Sequence, residues 1–489
     1  MSRVVVIGAG LGGLATAARL ARLRHEVVVV EAAEAVGGQT GGLTRGSFGW
    51  DTGPTSVTLP AALRDLFLKT GKPLETVLDL EPLEPLARLR FADGTDLDLP
   101  NTGVRDVAAA FDAALGGRSG DDWRRFHEHA SEVWALARGS LVEGPLPRPR
   151  DLLFRSPRLH RVLTTRRTLR DDARRFFADE RQQMWLEHQA TGFGSDPRRA
   201  PAWLSVWPYV EHTFRGWTVR GGMRSLVDAV HDRAVSRGAV VQTGARVVAV
   251  STSGRVDGVR LEDGRVLPAD IVVSDVDARQ LYDDLLPHDA SRRTSVEPRP
   301  SASVFTLLLG LRGLTPDVRP RTVLFSGDPD RELDAVFGVD ARGPEDPTLS
   351  VHVSRDPAHA PADSEAWTVQ VTVPRHGAGP GALDWSAERV AAGYAEHLLD
   401  RLAARELDLR DRVVVAEHRS PADVERSTGS PGGAAYGAAM DGARAAWLRA
   451  ANRSPVPGLF LVGASAHPGG GIPSVTMSAA IVAEMIGRA

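Results

Sequence analysis

Three glycines follow the first apolar run of the chain. Residues 4–7 are β-branched, as in strands that are buried on both faces of a parallel sheet, and Gly8, Gly10 and Gly13 come directly after them. In a strand-turn-helix of this spacing, the first glycine permits a tight turn and the second lets a pyrophosphate approach the backbone. The third lets the helix pack closely on the strand, and the start of that helix attracts an anion. The pattern predicts a dinucleotide phosphate site.

An acidic residue supports this interpretation. A second apolar strand is predicted at residues 27–30, and Glu31 ends it about twenty residues after the glycines, where a carboxylate accepts from ribose hydroxyls. Glu31 therefore favours an unphosphorylated adenosine. Five residues separate it from Gly37 and Gly38, an extension typical of FAD-binding chains rather than of NAD dehydrogenases. We therefore predict FAD as the cofactor.

A second glycine-rich turn occupies residues 463–471. A strand predicted at 459–462 leads into it, and a helix is predicted to begin at Pro473. Proline suits the first helical position, and small residues there let a helix start approach a planar ligand closely. Two dinucleotide-type turns so far apart in the chain predict one long cofactor bound between them. The predicted contacts from this segment are Gly463, Ala464, Gly471, Ile472, Pro473 and Ser474.

Two further segments are predicted to face the cofactor. The stretch 39–60 is rich in turn residues, and Gly53, Pro54 and Thr55 form its predicted cofactor-facing loop. The backbone of Val247, in a strand predicted at 245–250, is the expected adenine contact. A strand edge can hydrogen-bond a base without any special side chain.

The composition describes an ordinary globular chain that can bury a large site. Its 489 residues exceed a single typical core, so we expect two domains. A net charge of -3 gives no global basic field, and we expect no nucleic-acid partner. The absence of Cys excludes thiol catalysis and Cys-ligated metals, and no His/Asp/Glu cluster with metal-ligand spacing occurs, so no metal site is predicted. With no signal-peptide pattern and no long apolar stretch, we expect a cytoplasmic protein whose membrane contact, if any, is peripheral.

The order of predicted elements indicates two interleaved parts. Residues 104–190 are mostly helical, broken by the linker at 144–149, whereas 301–375 form a β-rich block followed by a helix near 385–405. We expect an α/β fold in which an antiparallel sheet roofs a cavity, with the 104–217 helices on its other side. The predicted Rossmann-like FAD-binding domain comprises 1–103, 218–300 and 415–489, and the substrate-binding domain of antiparallel sheet plus helices comprises 104–217 and 301–414.

An aromatic segment and an arginine-rich segment lie within the helical part. Residues 201–217 hold three of the ten tryptophans, which predicts either a core or a long apolar pocket. The arginines are candidates for contact with anionic lipid headgroups. A solvated face partnered by Asp171, Asp172, Asp179 and Glu180 is the alternative. The arginines concerned are Arg155, Arg158, Arg161, Arg166, Arg167, Arg170, Arg174 and Arg175.

Over essentially its whole length the chain resembles the carotenoid desaturase family, flavoproteins that include bacterial phytoene desaturase. The resemblance implies a two-domain FAD fold whose hydrophobic tunnel takes a polyene from the membrane, with oxygen or a quinone as the electron acceptor. Two positions depart from the family pattern. Gln39 stands where the family usually has Arg at a pyrophosphate or flavin contact, and Arg24 replaces a helix-ending Gly, so that His25 is expected to be left-handed. The motifs are the glycine turn with Glu31 and Gly37-Gly38, W-D-T-G-P-T at 50–55, W-T-V-R-G-G-M at 217–223, S-D-V-D-A at 274–278, Asp384-Trp385, S-P-A-D at 420–423 and L-V-G-A-S-A-H-P-G-G-G-I-P-S at 461–474.

The resemblance implies an oxidation in which a hydride leaves for the flavin and a proton leaves the adjacent carbon. The polyene stabilises the allylic cation, so alignment, exclusion of water and a weak base suffice. Glu211, in the aromatic segment, is the candidate base, with a solvated or paired helix residue as the alternative reading of it. Asp179, Glu180 and His212 are rival candidates.

Three other functions stay open at this point. Within the family, the S-A-H-P-G-G-G variant favours a later-pathway desaturase or oxidase acting on hydroxylated or shorter carotenoids. An amine or porphyrinogen oxidase on the same fold is a second class. A non-catalytic isoprenoid-binding escort, similar to the GDP dissociation inhibitors of small GTPases, is a third.

Overall fold

The apolar runs predicted as buried strands form a five-stranded parallel sheet in the computed structural model, which describes residues 1–287 and 299–489. The first strand, Arg3–Ile7, is central and pairs with Glu26–Val30 on one side and Ile271–Ser274 on the other. Because all five strands are parallel, the residues that follow them meet at one edge of the sheet. The strand order is Val240–Gln242, Glu26–Val30, Arg3–Ile7, Ile271–Ser274 and Leu459–Leu461.

Helices cover one face of this parallel sheet and an antiparallel meander covers the other. Alternate residues of the first strand supply the two cores: Val4 and Val6 pack toward the helices, whereas Val5 and Ile7 pack toward the meander. The sheet therefore lies between two apolar layers, as its continuous β-branched runs require. The helices are Leu11–Arg22, Ala61–Thr70, Gly222–Ser236 and Ile472–Ile486, and the meander strands are Val247–Thr252, Val256–Leu261 and Val266–Pro268.

The first helix ends differently from the prediction. Arg24, not His25, has the left-handed backbone, with φ of 72°. His25 is buried, and its Nε2 lies 3.0 Å from the carbonyl oxygen of Gly487. The side chain of residue 25 is needed inside the fold, so the left-handed turn falls on the exposed residue before it.

The β-rich block forms a second sheet of seven strands, called here the roof sheet. Its pairing is antiparallel except where Arg321–Leu324 runs parallel to Ala87–Arg90. Two of its strands form a hairpin that turns at Asp93-Gly94, and Gly94 has the positive φ of 85° that this turn requires. The strand order is Val413–Arg419, Ser303–Arg312, Ser364–Val373, Leu349–Ser354, Arg321–Leu324, Ala87–Arg90 and Asp96–Leu99.

The two faces of the roof sheet differ in character. Phe305, Leu307 and Leu309 point to one side, where they pack against the helix Glu388–Ala403. Their neighbours in the strand, such as Thr306, point to the other side and line a cavity. The two-residue period of the strands thus separates an apolar core from a partly polar cavity wall.

A layer of helices faces the roof sheet from the other side of the cavity. Its core is aromatic, with Trp123, Phe126 and Trp185 buried together. The helical run of this layer is interrupted between Leu141 and Pro149, where the sequence predicts a linker. The helices are Val104–Leu115, Ser119–Leu141, Pro149–Arg155, Pro157–Leu163, Leu169–Phe176, Glu180–Gly192 and Val206–Phe214.

Short elements complete the description. Three small sheets pair Gly42–Arg45 with Phe48–Asp51, Gly216–Val219 with both Val57–Thr58 and Leu80–Pro82, and Arg375–His376 with Ala382–Leu383. Within residues 1–287 and 299–489, the remaining α-helices are Ala278–Gln280, Pro329–Phe337 and Pro421–Thr428.

The observed mixture of parallel and antiparallel sheets with helices confirms the predicted α/β fold class. The division at residues 103, 217, 300 and 414 stays a prediction, and its 218–300 segment runs into residues 288–298, which lie outside the described ones. Within the described part, the hairpin 87–99 pairs with the roof sheet, although the division assigns it to the FAD-binding domain. In the same residues, no helix combines the length and apolar character needed to cross a bilayer.

Candidate FAD and substrate site

A single cavity of about 770 Å³ joins the carboxyl edge of the parallel sheet to the space under the roof sheet. This volume lies within the roughly 300–1,000 Å³ of ligand sites in proteins. Most residues predicted to bind the cofactor line it, whereas Gly13 and Ser474 lie behind the wall. The predicted residues on its wall are Gly8, Gly10, Glu31, Gly37, Gly38, Gln39, Gly53, Pro54, Thr55, Val247, Gly463, Ala464, Gly471, Ile472 and Pro473, together with Glu211.

The glycine turn has the conformation that its spacing predicts. Gly8 has φ of 96°, which favours glycine, and the helix begins at Leu11. A Cβ on Gly13 would collide with the carbonyl oxygen of Gly8, so residue 13 is glycine because the helix packs directly on the turn. The turn therefore presents bare backbone and a helix start to the cavity, which suits a diphosphate.

Glu31 is placed by the backbone around it. One carboxylate oxygen accepts from the amide of Ala9 at 2.6 Å, and the other accepts from the amide of Ala33 at 2.9 Å. Each oxygen of a carboxylate has a further lone pair, so these bonds orient the group without exhausting it. Glu31 lines the cavity and is available to ribose hydroxyls.

Gln39 and the Gly53–Thr55 loop connect the two parts of the cavity. The Gln39 amide donates to Ser430 Oγ at 3.0 Å and to the carbonyl oxygen of Ala434 at 3.2 Å, so it anchors a neighbouring loop. The roof sheet contacts Gly53 through Gln370 Nε2, which donates to the Gly53 carbonyl oxygen at 2.8 Å. The roof sheet thus holds the Gly53–Thr55 loop, and Gln39 holds the loop that contains Ser430 and Ala434.

A buried arginine supports the second glycine-rich turn. Arg449 donates to the carbonyl oxygens of Tyr436 at 3.0 Å, Ala438 at 3.0 Å and Ala464 at 2.6 Å. Burial lowers the pKa of Arg449 to about 10. Tyr436 and Ala464 line the cavity. Arg449 therefore fixes the relative position of the two cavity-facing loops that contain them.

Charged and polar side chains line the cavity under the roof sheet. Arg321 Nη1 donates to Glu211 Oε1 at 2.5 Å, and the two side chains are 19% and 13% exposed. Thr55 Oγ1 lies 2.8 Å from Nδ1 of His352, and burial lowers the pKa of His352 to about 3. His352 is therefore neutral, and Arg321 and Glu211 carry the charge in this part of the cavity.

Electrostatics keep Glu211 ionised. Burial is the largest single influence and opposes its ionisation, but the Arg321 guanidinium, together with smaller effects of His212 and His188, holds the pKa of Glu211 below its ordinary value. Glu211 is therefore not solvated: it is paired, as one form of the alternative reading expects, and it also lies on the cavity wall. Its role as a base stays a prediction.

The rival candidate bases do not reach the cavity. Asp179 caps the helix Glu180–Gly192 and pairs with Arg181 at 2.6 Å. Glu180 is exposed. His212 is buried against Trp123 and Trp185, and burial lowers its pKa to about 4. Of the four candidates, only Glu211 lines the cavity.

Three comparisons with known proteins bear on this site. A sequence profile described as flavin containing amine oxidoreductase matches residues 11–486. The chain is 32% identical to 4,4'-diapolycopene oxygenase from Methylomonas sp, covering 99% of this chain and 98% of that protein. It is 33% identical to hydroxyneurosporene desaturase from Cereibacter sphaeroides, at 99% and 97% coverage, and 31% identical to lycopene-forming phytoene desaturase from Pseudescherichia vulneris, at 99% and 99%.

The chain belongs to the carotenoid desaturase group of the flavin-containing amine oxidoreductases. This confirms the predicted family and the predicted FAD cofactor, and it makes the protein an FAD-dependent oxidoreductase. Solved structures share its fold at low identity. They include putrescine oxidase bound to putrescine, with a TM-score of 0.65 at 16% identity over 99% of both chains. Another is cyclohexylamine oxidase from Brevibacterium oxydans, with a TM-score of 0.62 at 15% identity over 99% of both chains.

The residues present fit FAD. The backbone is bare where a diphosphate is expected, a carboxylate lies at the ribose position of the pattern, and the cavity continues beneath Thr55 and Ile472. When bound, FAD supplies the hydride acceptor. The role of each single residue toward FAD stays a prediction.

Sequence reasoning missed several residues of the cavity. Asp275 stands within the quoted S-D-V-D-A motif but was not assigned a role, although its position directly after a central strand was a usable signal. Arg321, His352 and Arg449 had no local signal. They reach the site through pairing of strands and loops that are far apart in the chain.

Proposed function

We propose that the protein is a carotenoid desaturase that introduces C=C bonds into a hydrophobic, phytoene-like polyene. The observation that carries this proposal is the continuity of the cavity. It passes from the dinucleotide turns to a wall that includes Phe193 and Trp207, where a long apolar molecule can lie against the cofactor. Substrate alignment and exclusion of water are the tasks of this wall.

Glu211 is the proposed proton acceptor. The reaction removes a hydride from one carbon and a proton from its neighbour, and the proton needs a base inside the closed cavity. Glu211 is ionised, lines the cavity and is held in one orientation by Arg321. Its low pKa makes it a weak base, which is enough for a proton next to an allylic cation.

The experiment is a comparison of carotenoid extracts from a host that accumulates a pathway intermediate, with and without this protein. A shift of carotenoid absorption to longer wavelength, with a matching loss of hydrogen by mass spectrometry, is expected. Unchanged carotenoids from cells that contain the FAD-loaded protein would contradict the proposal.

A second candidate is a later-pathway desaturase or oxidase that acts on a hydroxylated or shorter carotenoid. The observation that favours it is the polar wall under the roof sheet. There the Tyr436 side chain and the Arg321 N–H groups that Glu211 does not use face the cavity, and a pure hydrocarbon offers them no hydrogen-bond partner. Replacing Arg321 by Met should then slow turnover of a hydroxylated carotenoid far more than turnover of a hydrocarbon. Equal effects on both substrates would favour the hydrocarbon.

The amine-oxidase alternative is disfavoured by the same arginine. A guanidinium in a desolvated cavity repels an ammonium substrate, and its carboxylate partner is already paired. Putrescine should therefore leave the FAD of this protein oxidised under anaerobic conditions.

We also propose that the protein binds membranes from the cytoplasmic side through the helices Pro149–Arg155 and Pro157–Leu163. Leu153 and Phe154 are 47% and 82% exposed, an arrangement of apolar and basic groups that suits an anionic lipid surface. The linker before these helices contacts the glycine-rich turn, because His467 Nε2 lies 2.9 Å from the carbonyl oxygen of Gly144. Arginines on these two helices and in the segments next to them in sequence are exposed: Arg148, Arg150, Arg155, Arg158, Arg161, Arg166, Arg167, Arg174 and Arg175.

One predicted lipid contact needs correction. Arg170 pairs with Glu187 at 2.6 Å and with Asp330 at 2.5 Å, and its side chain is only 12% exposed. It serves the internal packing of the helical layer rather than the surface.

Co-sedimentation with anionic vesicles tests this surface. Each exposed arginine near anionic lipid contributes about 1 kcal/mol to membrane binding. A few of them therefore bind the protein reversibly to the vesicles, and added salt should release it. Phe154→Asp should weaken binding, whereas Leu314→Asp, at a residue that is 51% exposed, is the matched control. Equal binding of both variants would contradict the assignment of this face.

The electron acceptor is proposed to be oxygen or a membrane quinone. Stopped-flow reoxidation of the reduced protein by each of them would distinguish the two.

A further inference from the structure

Asp275 occupies the gap between the two glycine-rich turns. It follows the strand Ile271–Ser274, and its carboxyl oxygens lie 2.5 Å from where a Cβ on Gly10 or Gly12 would be. A Cβ on Gly463 would also meet this carboxyl group. Glycines on both turns thus leave room for the Asp275 side chain, which lines the cavity.

The surroundings of Asp275 disfavour a negative charge. Burial raises its pKa to about 7; the backbone amides of Gly13 and Gly10 act against this shift, and the carboxylate of Glu31 adds to it. Glu31 is the charged group that faces Asp275. The glycine turn 8–13, the loop 463–465 and the helix start 471–475 contain no ionisable side chain.

A bound diphosphate would make a negative charge on Asp275 still less favourable. The turn and helix start beside Asp275 are where a dinucleotide diphosphate binds, and FAD brings at least two negative charges there. An ionised Asp275, Glu31 and a diphosphate would be like charges within one desolvated space. A carboxylic acid instead has an O–H donor that can hydrogen-bond a phosphate oxygen.

We propose that Asp275 is a cofactor-binding residue that holds FAD as a neutral carboxylic acid, so that FAD binding above neutral pH takes up about one proton. The proposal rests on FAD as the cofactor and does not depend on the substrate. It can therefore fail while the proposed desaturation is correct, and the proposed desaturation can fail while this proposal is correct.

The linkage fixes the direction of the pH effect. Below about pH 6 the carboxyl group is already protonated in the free protein, and FAD affinity does not depend on its titration. Above about pH 7 the free protein loses the proton that the complex keeps. Well above pH 7 the dissociation constant of FAD should then rise about tenfold for each pH unit, which is about 50-fold between pH 7 and pH 9 and about 100-fold between the low-pH limit and pH 9.

The test is equilibrium release of FAD from the diluted holoenzyme, followed by the fluorescence of free FAD between about pH 6 and pH 9. Asp275→Asn keeps a hydrogen-bond donor without an ionisable group, so its dissociation constant should be flat over this range. At about pH 9 it should be roughly 100-fold below that of the parent. The matched control is Asp270→Asn, which removes an exposed carboxylate at the other end of the same strand and should keep the parent slope.

Two results would overturn the proposal. The first is an FAD dissociation constant of the parent protein that does not change between about pH 7 and pH 9. This result can be obtained without any variant. The second is the parent slope retained in Asp275→Asn, or in Asp275→Ser if the asparagine variant does not fold. A slope that is lost only in Glu31→Gln would assign the proton to Glu31 and would likewise overturn it.

Discussion

The ion pair between Arg321 and Glu211 gives a prediction whose magnitude and sign both follow from the structure. Replacing Arg321 by Met leaves Glu211 in a buried position without its cation. Breaking a buried pair from one side costs about 3–5 kcal/mol, and we expect about 3 kcal/mol at neutral pH because both side chains keep some access to the cavity. The measurement is urea unfolding of the parent and the variant.

The pH dependence identifies the cause. In the parent, Arg321 holds the pKa of Glu211 below the ordinary 4.5, so the pair stabilises the fold above pH 4.5 and this contribution is lost as pH falls through the lowered pKa. In the variant burial dominates and the pKa is raised, so the folded state loses stability as pH rises above 4.5. The difference between the two proteins should therefore be small near pH 4 and largest near neutrality.

A double-mutant cycle supplies the control. In a Glu211→Gln background, Arg321→Met removes no ion pair, and its cost should be smaller than in the parent by more than about 1 kcal/mol. A cost that is equal in both backgrounds, or that does not change with pH, would refute the electrostatic account of this pair.

Three other predictions concern the cofactor. We predict that FAD is bound non-covalently, since the chain has no Cys for a thioether, so denaturation should release all of the yellow colour. Colour retained on the precipitated chain would contradict this. Glu31→Ala removes the predicted ribose acceptor, which is also the partner of the Ala9 and Ala33 amides. It should weaken FAD by about 1–3 kcal/mol in a fluorescence titration, while exposed Glu34→Ala should not, and equal affinities would mean that the adenosine lies elsewhere. Ile472→Asp sets a carboxylate at a helix start on the cavity wall and should lower the flavin potential relative to Ile472→Asn with FAD retained. Equal potentials would show that this helix does not address the flavin.

The parts of the site that sequence could predict are those coded by local spacing. Gly8 to Gly13, Glu31 and the 463–473 turn each follow a strand of one parallel sheet, so their meeting at one edge follows from the fold class alone. Glu211 was found because it stands in an aromatic segment, but its ion pair was not. Arg321 reaches it from a strand 110 residues away.

The remaining features depend on which face of a strand a residue occupies. His352 points into the cavity and Val351 into the core, and this follows from the register of the roof sheet rather than from either residue type. The hairpin 87–99 likewise pairs across the predicted domain boundary because its partner, Arg321–Leu324, is distant in sequence. Long-range pairing, not local propensity, decides both.

The central claim is that this cavity oxidises a carbon–carbon bond of a polyene with the bound FAD. The most direct measurement is an anaerobic single turnover, in which the FAD-loaded protein is mixed with a phytoene-like polyene in vesicles. Loss of oxidised-flavin absorbance should match, one for one, the C=C bonds gained by the carotenoid as determined by mass spectrometry. A flavin that stays oxidised, or that is reduced without a new C=C bond, would contradict the account.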